Sequence, residues 1–462
     1  MRLRSFASVA AACVAGTFGL AAQADAQAPA PANQAPAAAA PAAPSTEIDL
    51  PYGIKVTGHV EAGVSFNPDS PENNINFGQT FTDQANSFRM NQLTFAIERD
   101  LDPKNSDYQW GFRFQPMFGT DARVTHFMNE FDRATSGPYQ FDILEADVQA
   151  HLPWWFGGTD VKLGQYPTPL GYEVIDALGN PLYSHTYIFN YGLPFKHTGL
   201  LTTTHVNDTL DLWLGLDTGV NDTLGEKGMA NNEFPKAIFG FGLNNLLDGN
   251  LTILALSHIG PENPRFIEPL NPVQVIPGAG PPTLNRGANS AVREYFDTVI
   301  SYKINDSWNS VTELNYVHDD LGKVSAGGVA QYLTYALSDT WSITGRAEIF
   351  ADQGKPSTTG FAGFACDALE PLDYANGQRG LQPNISYCGS GANYNVTYGA
   401  ITIGANYKPA LTDMANVVIR PEIRYDTVVG GSAGLKPFDV GRSGAGTKTS
   451  QFTLAVDAII GF

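Results

Sequence analysis

Cysteine is almost missing from this chain: three in 462 residues, too few for a scaffold built on disulfides. Charge is sparse too, at 16% of residues, and the basic sign is the scarcer one, 27 Lys and Arg against 46 Asp and Glu. A formal charge of −19 argues against a nucleic-acid partner, because the chain would repel phosphate. Past the N-terminus no segment holds 18 apolar residues in a row, which excludes helical membrane spans. No Ser–His–Asp grouping stands out, and the eight His are scattered, so an enzyme is not expected. His126, His185 and His258 lie near or in loops, where a lone imidazole is expected to be solvated rather than catalytic or a ligand. What the chain has in quantity is Gly (47), Phe (27) and Tyr (19), the residues of turns and strands.

The N-terminus reads as an export signal. Arg2 and Arg4 form a basic start, Phe6 to Ala22 is an apolar run, and Ala24-Asp25-Ala26 offers a small-x-small cleavage site. Losing residues 1–26 removes Arg2, Arg4 and Asp25, leaving 25 basic and 45 acidic residues and a charge of −20. Residues 27–46, almost wholly Ala and Pro, read as an extended periplasmic linker. Cys13 departs with the signal. Cys366 and Cys388 remain as one pair in an exported protein and are expected to form a disulfide, worth about 3 kcal/mol by chain entropy. Without a nearby His they complete no metal site, and neither a metal nor a cofactor is expected.

From Gly53 onward the hydrophobic pattern has a period of two. In "TLDLWLGLDTG" Leu210, Leu212, Leu214 and Leu216 share one face, with Asp211, Trp213 and Asp217 on the other. In "NVVIRPEIRYD" Val417, Ile419, Ile423 and Tyr425 oppose Arg420, Glu422, Arg424 and Asp426. A soluble sheet turns the apolar face inward and a transmembrane barrel turns it outward, so one strand cannot decide. The connections can. Sixteen strands are predicted, at about 53–67, 86–99, 107–118, 140–151, 159–166, 196–206, 209–219, 236–245, 250–259, 293–304, 307–318, 326–337, 340–351, 394–408, 415–427 and 449–462. Connections after even strands are short; those after odd strands are mostly long. That asymmetry describes an all-β, transmembrane antiparallel barrel over 47–462, with short periplasmic turns and long extracellular loops.

Four of the short turns share one form: "VNDTL" at 206, "INDSW" at 304, "LSDTW" at 337 and "LTDMA" at 411. Asn and Asp tolerate the left-handed backbone and bond to their own chain, so "ND" or "SD" can reverse a strand in two residues. Trp308, Trp341, Tyr407 and Phe462 lie at this end on the apolar faces, as an interfacial aromatic girdle would.

The stretches "GHVEAGVSFN", "NSFRMNQLTFAIER", "GFRFQPMFGTDA" and, above all, "KLGQYPTPLGYEVIDALGNPLYSHTYIFNYGLPFKHTGLL" resemble the β-barrel porin-2 (OmpL-like) family of Gram-negative outer-membrane proteins. The resemblance lies in residues 57–220 and weakens after about 260. It implies an outer-membrane location, lipid as surroundings, and passive passage of small hydrophilic solutes or ions. Phe462 resembles the terminal aromatic that such barrels present to their assembly machinery. A homo-oligomer stays open. The third long connection, 167–195, resembles the constriction loop of general porins. It carries six aromatic rings, and Pro167, Pro169, Pro181 and Pro194 stiffen it.

With the apolar faces toward lipid, the opposite parity lines a lumen. That assigns inward Arg89, Arg113, Lys162, Arg346, Arg420 and Arg424, together with Glu145, Asp147, Asp211, Asp217, Glu313, Glu348, Glu422 and Asp457. Water in a channel would hydrate these charges; the alternative is that they pair across strands and brace the wall. Glu173 and Asp176 are expected at the narrowest point, or else as caps of the loop's own turns. The acidic total favours cations or neutral solutes. A second reading, an adhesin or structural barrel displaying its Pro-rich and Cys-bearing loops, leaves the charged lumen without a purpose.

Overall fold

The computed structural model describes residues 48–102, 107–127, 130–131, 135, 137–220, 222–223, 235–262, 266–267, 283–284, 287, 289–320, 324–354, 394–409, 416–431, 436–440 and 446–461. Residues 1–47, where a signal peptide and an Ala/Pro linker are expected, the "LTDMA" turn, Cys366, Cys388 and Phe462 lie outside them.

Sixteen long strands form one antiparallel sheet. They are β1 (Ile54–Phe66), β2 (Ser87–Arg99), β3 (Gln109–Gly119), β4 (Gln140–Leu152), β5 (Thr159–Pro167), β6 (Lys196–His205), β7 (Leu210–Asp217) and β8 (Lys236–Asn245). The second half comprises β9 (Leu251–Gly260), β10 (Arg293–Lys303), β11 (Trp308–Asp319), β12 (Val324–Ala336), β13 (Trp341–Gly354), β14 (Tyr394–Tyr407), β15 (Asn416–Gly431) and β16 (Ser450–Gly461). Each strand pairs with the next. β16 returns to β1 with Val60 opposite Ile460 and Val64 opposite Val456, which closes the sheet and removes its edges. Ile48–Leu50 folds back against the start of β1. The expected strand count and order hold, with ends shifted by a few residues.

The barrel is apolar outside and charged inside. Along β15, Arg420, Glu422, Arg424 and Asp426 are buried while Ile423 and Tyr425 are exposed; along β7, Leu214 is 62% exposed and Trp213 only 5%. Two-residue periodicity makes this split automatic once the sheet closes. The exposed set suits acyl chains, and none of it would be stable against water over such an area.

The short turns show the predicted bonding of side chain to backbone but not the left-handed conformation. In the turn from β10 to β11, Asn305 Oδ1 accepts from the amides of Ser307 (2.9 Å) and Trp308 (3.0 Å). Asn207 does the same for Thr209 and Leu210, and the Ser338 hydroxyl for Thr340 and Trp341. None of these residues or the Asp that follows has a positive φ. The residue before the Asp therefore closes the turn through its side chain, without a left-handed backbone. The left-handed backbone appears instead between β8 and β9, at Asn245, Leu247, Asp248 and Gly249. At the same rim Trp308 stacks near Tyr335 (4.6 Å) and Trp341 on Tyr407 (4.4 Å).

Candidate functional site

The connection between β5 and β6 folds into the barrel. Tyr172, Tyr183, Tyr187, Phe189, Tyr191 and Phe195 are all buried. The segment contains only a 3-10 turn at Ala177–Gly179 and one π turn at Ile188–Gly192, so much of its backbone polarity needs partners elsewhere. The wall supplies them. Carboxylates meet its amides: Glu313 Oε1 accepts from Tyr172 N (3.2 Å), Glu422 Oε2 from Tyr183 N (3.0 Å) and Ser184 N (3.1 Å), and Glu348 Oε2 from Tyr187 N (2.7 Å). Guanidinium groups meet its carbonyls: Arg346 donates to Ser184 O (2.6 Å), Arg420 to Ala177 O and Asn180 O (both 2.9 Å), and Arg424 to His185 O (2.6 Å). Alternating acids and bases on β11, β13 and β15 thus hold an irregular chain that cannot bond itself. Tyr187 is also clamped, its hydroxyl donating to Asp426 (2.8 Å) beneath the Arg424 guanidinium.

Across the interior, Tyr183 donates to Asn91 (2.8 Å) and Gln92 donates to Ile175 O (2.7 Å), both on β2. The extracellular connection between β1 and β2 closes over the top: Phe77 and Phe81 are buried, and Gln451 donates to Phe77 O (2.7 Å). Sequence reading missed this second inserted segment. Its signal was "NNINFGQTFTDQAN", where two Phe stand among amide and hydroxyl side chains that can satisfy buried backbone.

The two acids expected at the constriction have different surroundings. Glu173 is buried, with Arg346 at 2.8 Å and the amide and hydroxyl of Thr186 at 2.8 and 3.1 Å. Burial works to raise its pKa, but Arg346, His185 and the Thr186 bond together hold the carboxyl below its ordinary value. Asp176 keeps 30% of its side chain exposed, 3.9 Å from His59 and accepting from Gln115 (2.9 Å) and from Leu178 N (3.0 Å). Burial raises it as well; His59, Gln115 and Arg113 outweigh this and hold it low. Its bond to Leu178 N also caps the loop's own turn. Burial drives His185 down to about 4 against the pull of Glu173, so the imidazole is neutral between Phe81 and Phe189.

Of the sixteen residues singled out as lining the lumen or its constriction, twelve are buried and paired or bonded within the barrel. Arg420 binds Asp457 and Glu61 (2.8 Å), Arg424 binds Asp426 and Glu348 (3.2 Å), and Asp211 accepts from His205 (2.7 Å) and Asn244 (2.7 Å). These pairings are the contacts that bracing of the wall requires. Arg89, Arg113, Lys162 and Asp176 stay half-buried. Arg113 on β3 contacts Glu98 (2.6 Å) and Glu145 (3.2 Å), and Lys162 on β5 contacts Glu145 (2.6 Å) with Asp147 at 3.8 Å.

The histidines are not solvated as expected. His126 is buried, its Nδ1 2.6 Å from Ala122 O, and His185 is buried in the loop. His258 is buried beside Asp217 and His197, a group brought together by β6, β7 and β9. Their separation in the chain, 20 and 41 residues, hid that proximity.

A family model described as "Putative beta-barrel porin-2, OmpL-like" matches residues 53–462. The anion-selective porin from Comamonas acidovorans is similar in structure, with a TM-score of 0.50 at 12% identity, covering 88% of this chain and 99% of that one. The outer membrane channel DcaP of Acinetobacter baumannii gives 0.49 at 10% identity, covering 90% and 99%. Pseudomonas putida OprB gives 0.49 at 10% identity, covering 89% and 94%. At such identities the likeness is one of fold. No curated sequence is matched by this chain. Because the family match runs over the whole barrel, from the first strand to the last, the chain belongs to the β-barrel porin-2, OmpL-like family and is a porin of the Gram-negative outer membrane.

Proposed function

We propose that small hydrophilic solutes and ions diffuse along the wall formed by β2 to β5, whose own charged side chains are not the ones that anchor the inserted loop. One observation carries this path. The charges on β11, β13 and β15 are consumed in holding the loop, whereas Arg89, Arg113, Lys162 and Asp176, the half-buried members of the set, sit on β2, β3, β5 and the loop face toward them. Arg89, Arg113 and Lys162 share this wall with Glu98, Glu145, Asp147 and Asp176, four carboxylates against three cations. That balance favours cations over anions, and the mixed signs favour polar over apolar solutes.

Single-channel conductance of the refolded protein in a planar bilayer tests the reading. The expected record is a stable, ohmic conductance with a modest cation preference. A barrel of intact β circular dichroism that passes no current would leave a plugged or display barrel instead. In this reading the exposed apolar belt meets outer-membrane lipid, residues 1–26 direct export, 27–46 form a spacer, and the assembly machinery inserts the barrel. The protein is also read as non-catalytic. The stretch "GGSAG" at 430–434 has nucleophile-elbow spacing, but that motif serves a strand-to-helix turn backed by an acid and a His. Lipid or peptide turnover by the purified barrel would show otherwise.

A further inference from the structure

We infer that His197, Asp217 and His258 form a binding site for a first-row divalent cation, Zn²⁺ foremost, on the inner wall near the extracellular rim. The three side chains have no solvent exposure. Their ligating atoms lie within 4.8 Å of one another. His197 Nδ1 stands 3.6 Å and His258 Nε2 3.1 Å from Asp217 Oδ1, which also accepts from Gly219 N (2.7 Å), so Oδ2 is the oxygen left for a cation. Two ligands of one tetrahedral metal at ordinary Zn–N and Zn–O lengths are about 3.4 Å apart, so the two His–Asp separations need only small adjustments, while the two imidazoles, within 4.8 Å of each other, close by up to about 1.4 Å on binding. Imidazole nitrogen and carboxylate are the donor types that zinc and its neighbours accept.

Two further observations point to a ligand rather than to a self-contained hydrogen-bonded cluster. Among the described residues, neither His197 Nδ1 nor Asp217 Oδ2 has a hydrogen-bond partner, although both are buried. Leaving such atoms bare costs about 1–3 kcal/mol each. The other nitrogen of each imidazole faces an oxygen: His197 Nε2 lies 3.0 Å from Thr168 Oγ1, and His258 Nδ1 lies 3.7 Å from Glu262 Oε1. A bonded outer-shell oxygen such as Thr168 Oγ1 orients a ligating imidazole and raises its basicity, and the Glu262 carboxylate lies just beyond bonding distance of His258. Lys236 lies on the intervening strand and donates to Thr218 O (2.6 Å). Its charge is opposed by Asp217 and Glu262, so a divalent cation is not excluded. Three protein ligands leave a fourth position for water or a passing solute. The cation would tie β6, β7 and β9 together beneath the extracellular connections.

The test uses the refolded full barrel, with folding checked by heat-modifiable migration, and Co²⁺ as a spectroscopic stand-in for Zn²⁺. Wild type is expected to bind one equivalent with the intense visible bands of a tetrahedral site, displaced by Zn²⁺, and to gain thermal stability with Zn²⁺. His258→Ala and Asp217→Asn are expected to lose the bands, His197→Gln serving if either misfolds, and Thr168→Val to weaken affinity roughly tenfold. His151→Ala, at the other rim, is expected to keep them. A folded wild type without bands, or bands that survive both ligand variants or vanish in His151→Ala, would overturn the site.

Discussion

Arg346 on β13 lies 2.8 Å from Glu173 of the inserted loop, both side chains withdrawn from solvent. The same guanidinium donates to Ser184 O (2.6 Å), Ser184 Oγ (3.1 Å) and Thr402 Oγ1 (3.2 Å). One barrel residue therefore ties two points of the loop, eleven positions apart, to the wall. The loop's position thus rests on charges withdrawn from solvent.

Glu173 and Asp176 should consequently respond differently to neutralisation. Asp176→Asn is expected to move the reversal potential toward anions while leaving thermal stability nearly unchanged. Glu173→Gln is expected to leave Arg346 buried without its countercharge and to destabilise the loop by about 3–5 kcal/mol. Reversal potentials in a salt gradient, together with thermal melts, separate the two effects. Equal shifts in both variants would remove Asp176 from the passage.

Replacing Arg346 by Met should release the loop without opening the barrel. Conductance is expected to rise and become noisier, with circular dichroism unchanged. In a double-mutant cycle, Arg346→Met and Glu173→Gln should cost much less together than the sum of the single changes, because each unpaired charge leaves with its partner. Additive losses would mean the pair is not coupled.

Acid should loosen the loop in two stages. A released loop protonates His185 near pH 6.5, whereas the packed loop resists until about 4. The unfolded form thus binds more protons in that window, so stability is complete above pH 6.5 and falls as pH drops, by an amount on the order of 3 kcal/mol. Glu173 and Asp176, held below their ordinary values of 4.5 and 3.8, lose their contributions at still lower pH. Hydrogen exchange across 172–190, corrected for intrinsic rates, should follow this course. His185→Phe should abolish the first stage and keep the second.

The two faces of β7 predict opposite tolerances. Leu214→Arg places a charge on a lipid-facing side chain and is expected to cost about 2–4 kcal/mol if near mid-bilayer. Asp211→Asn, on the inner face, keeps one of its two acceptor oxygens and should cost less, about 1 kcal/mol for the bond lost. Urea titration of the barrel refolded in lipid vesicles measures both.

The turn from β10 to β11 gives a local test. Asn305→Ala removes the acceptor for two amides and should cost about 1 kcal/mol. Asp306 makes an exposed pair with Lys303 (2.9 Å), so Asp306→Ala should change stability little. The reverse order would return the turn to the Asp.

How much was legible follows from range. The alternation of Leu210 to Leu216, or of Phe452 to Ile460, is written in neighbouring residues, and closure of the barrel follows from the loop-length asymmetry. The "INDSW" repeats were visible as turns, but which side chain closes them depended on hydrogen bonds that composition leaves ambiguous between Asn and Asp. Inward parity for Arg346, Arg420 and Arg424 was also readable. That they hold loop backbone was not, because their partners lie more than 150 positions away.

By itself the sequence determined which residues face lipid and which face inward, since a strand's side chains alternate whatever its neighbours are. It also determined the number of strands and the rim of the short turns. Only the tertiary structure decided what the interior charges do. The connection at 168–195 enters the barrel because wall carboxylates and guanidinium groups complete its backbone bonds, and amide side chains of the wall, Asn91 and Gln451, meet the carbonyls of Phe81 and Phe77 in the connection at 67–86. The same closure brings His197, Asp217 and His258, distant along the chain, around one point.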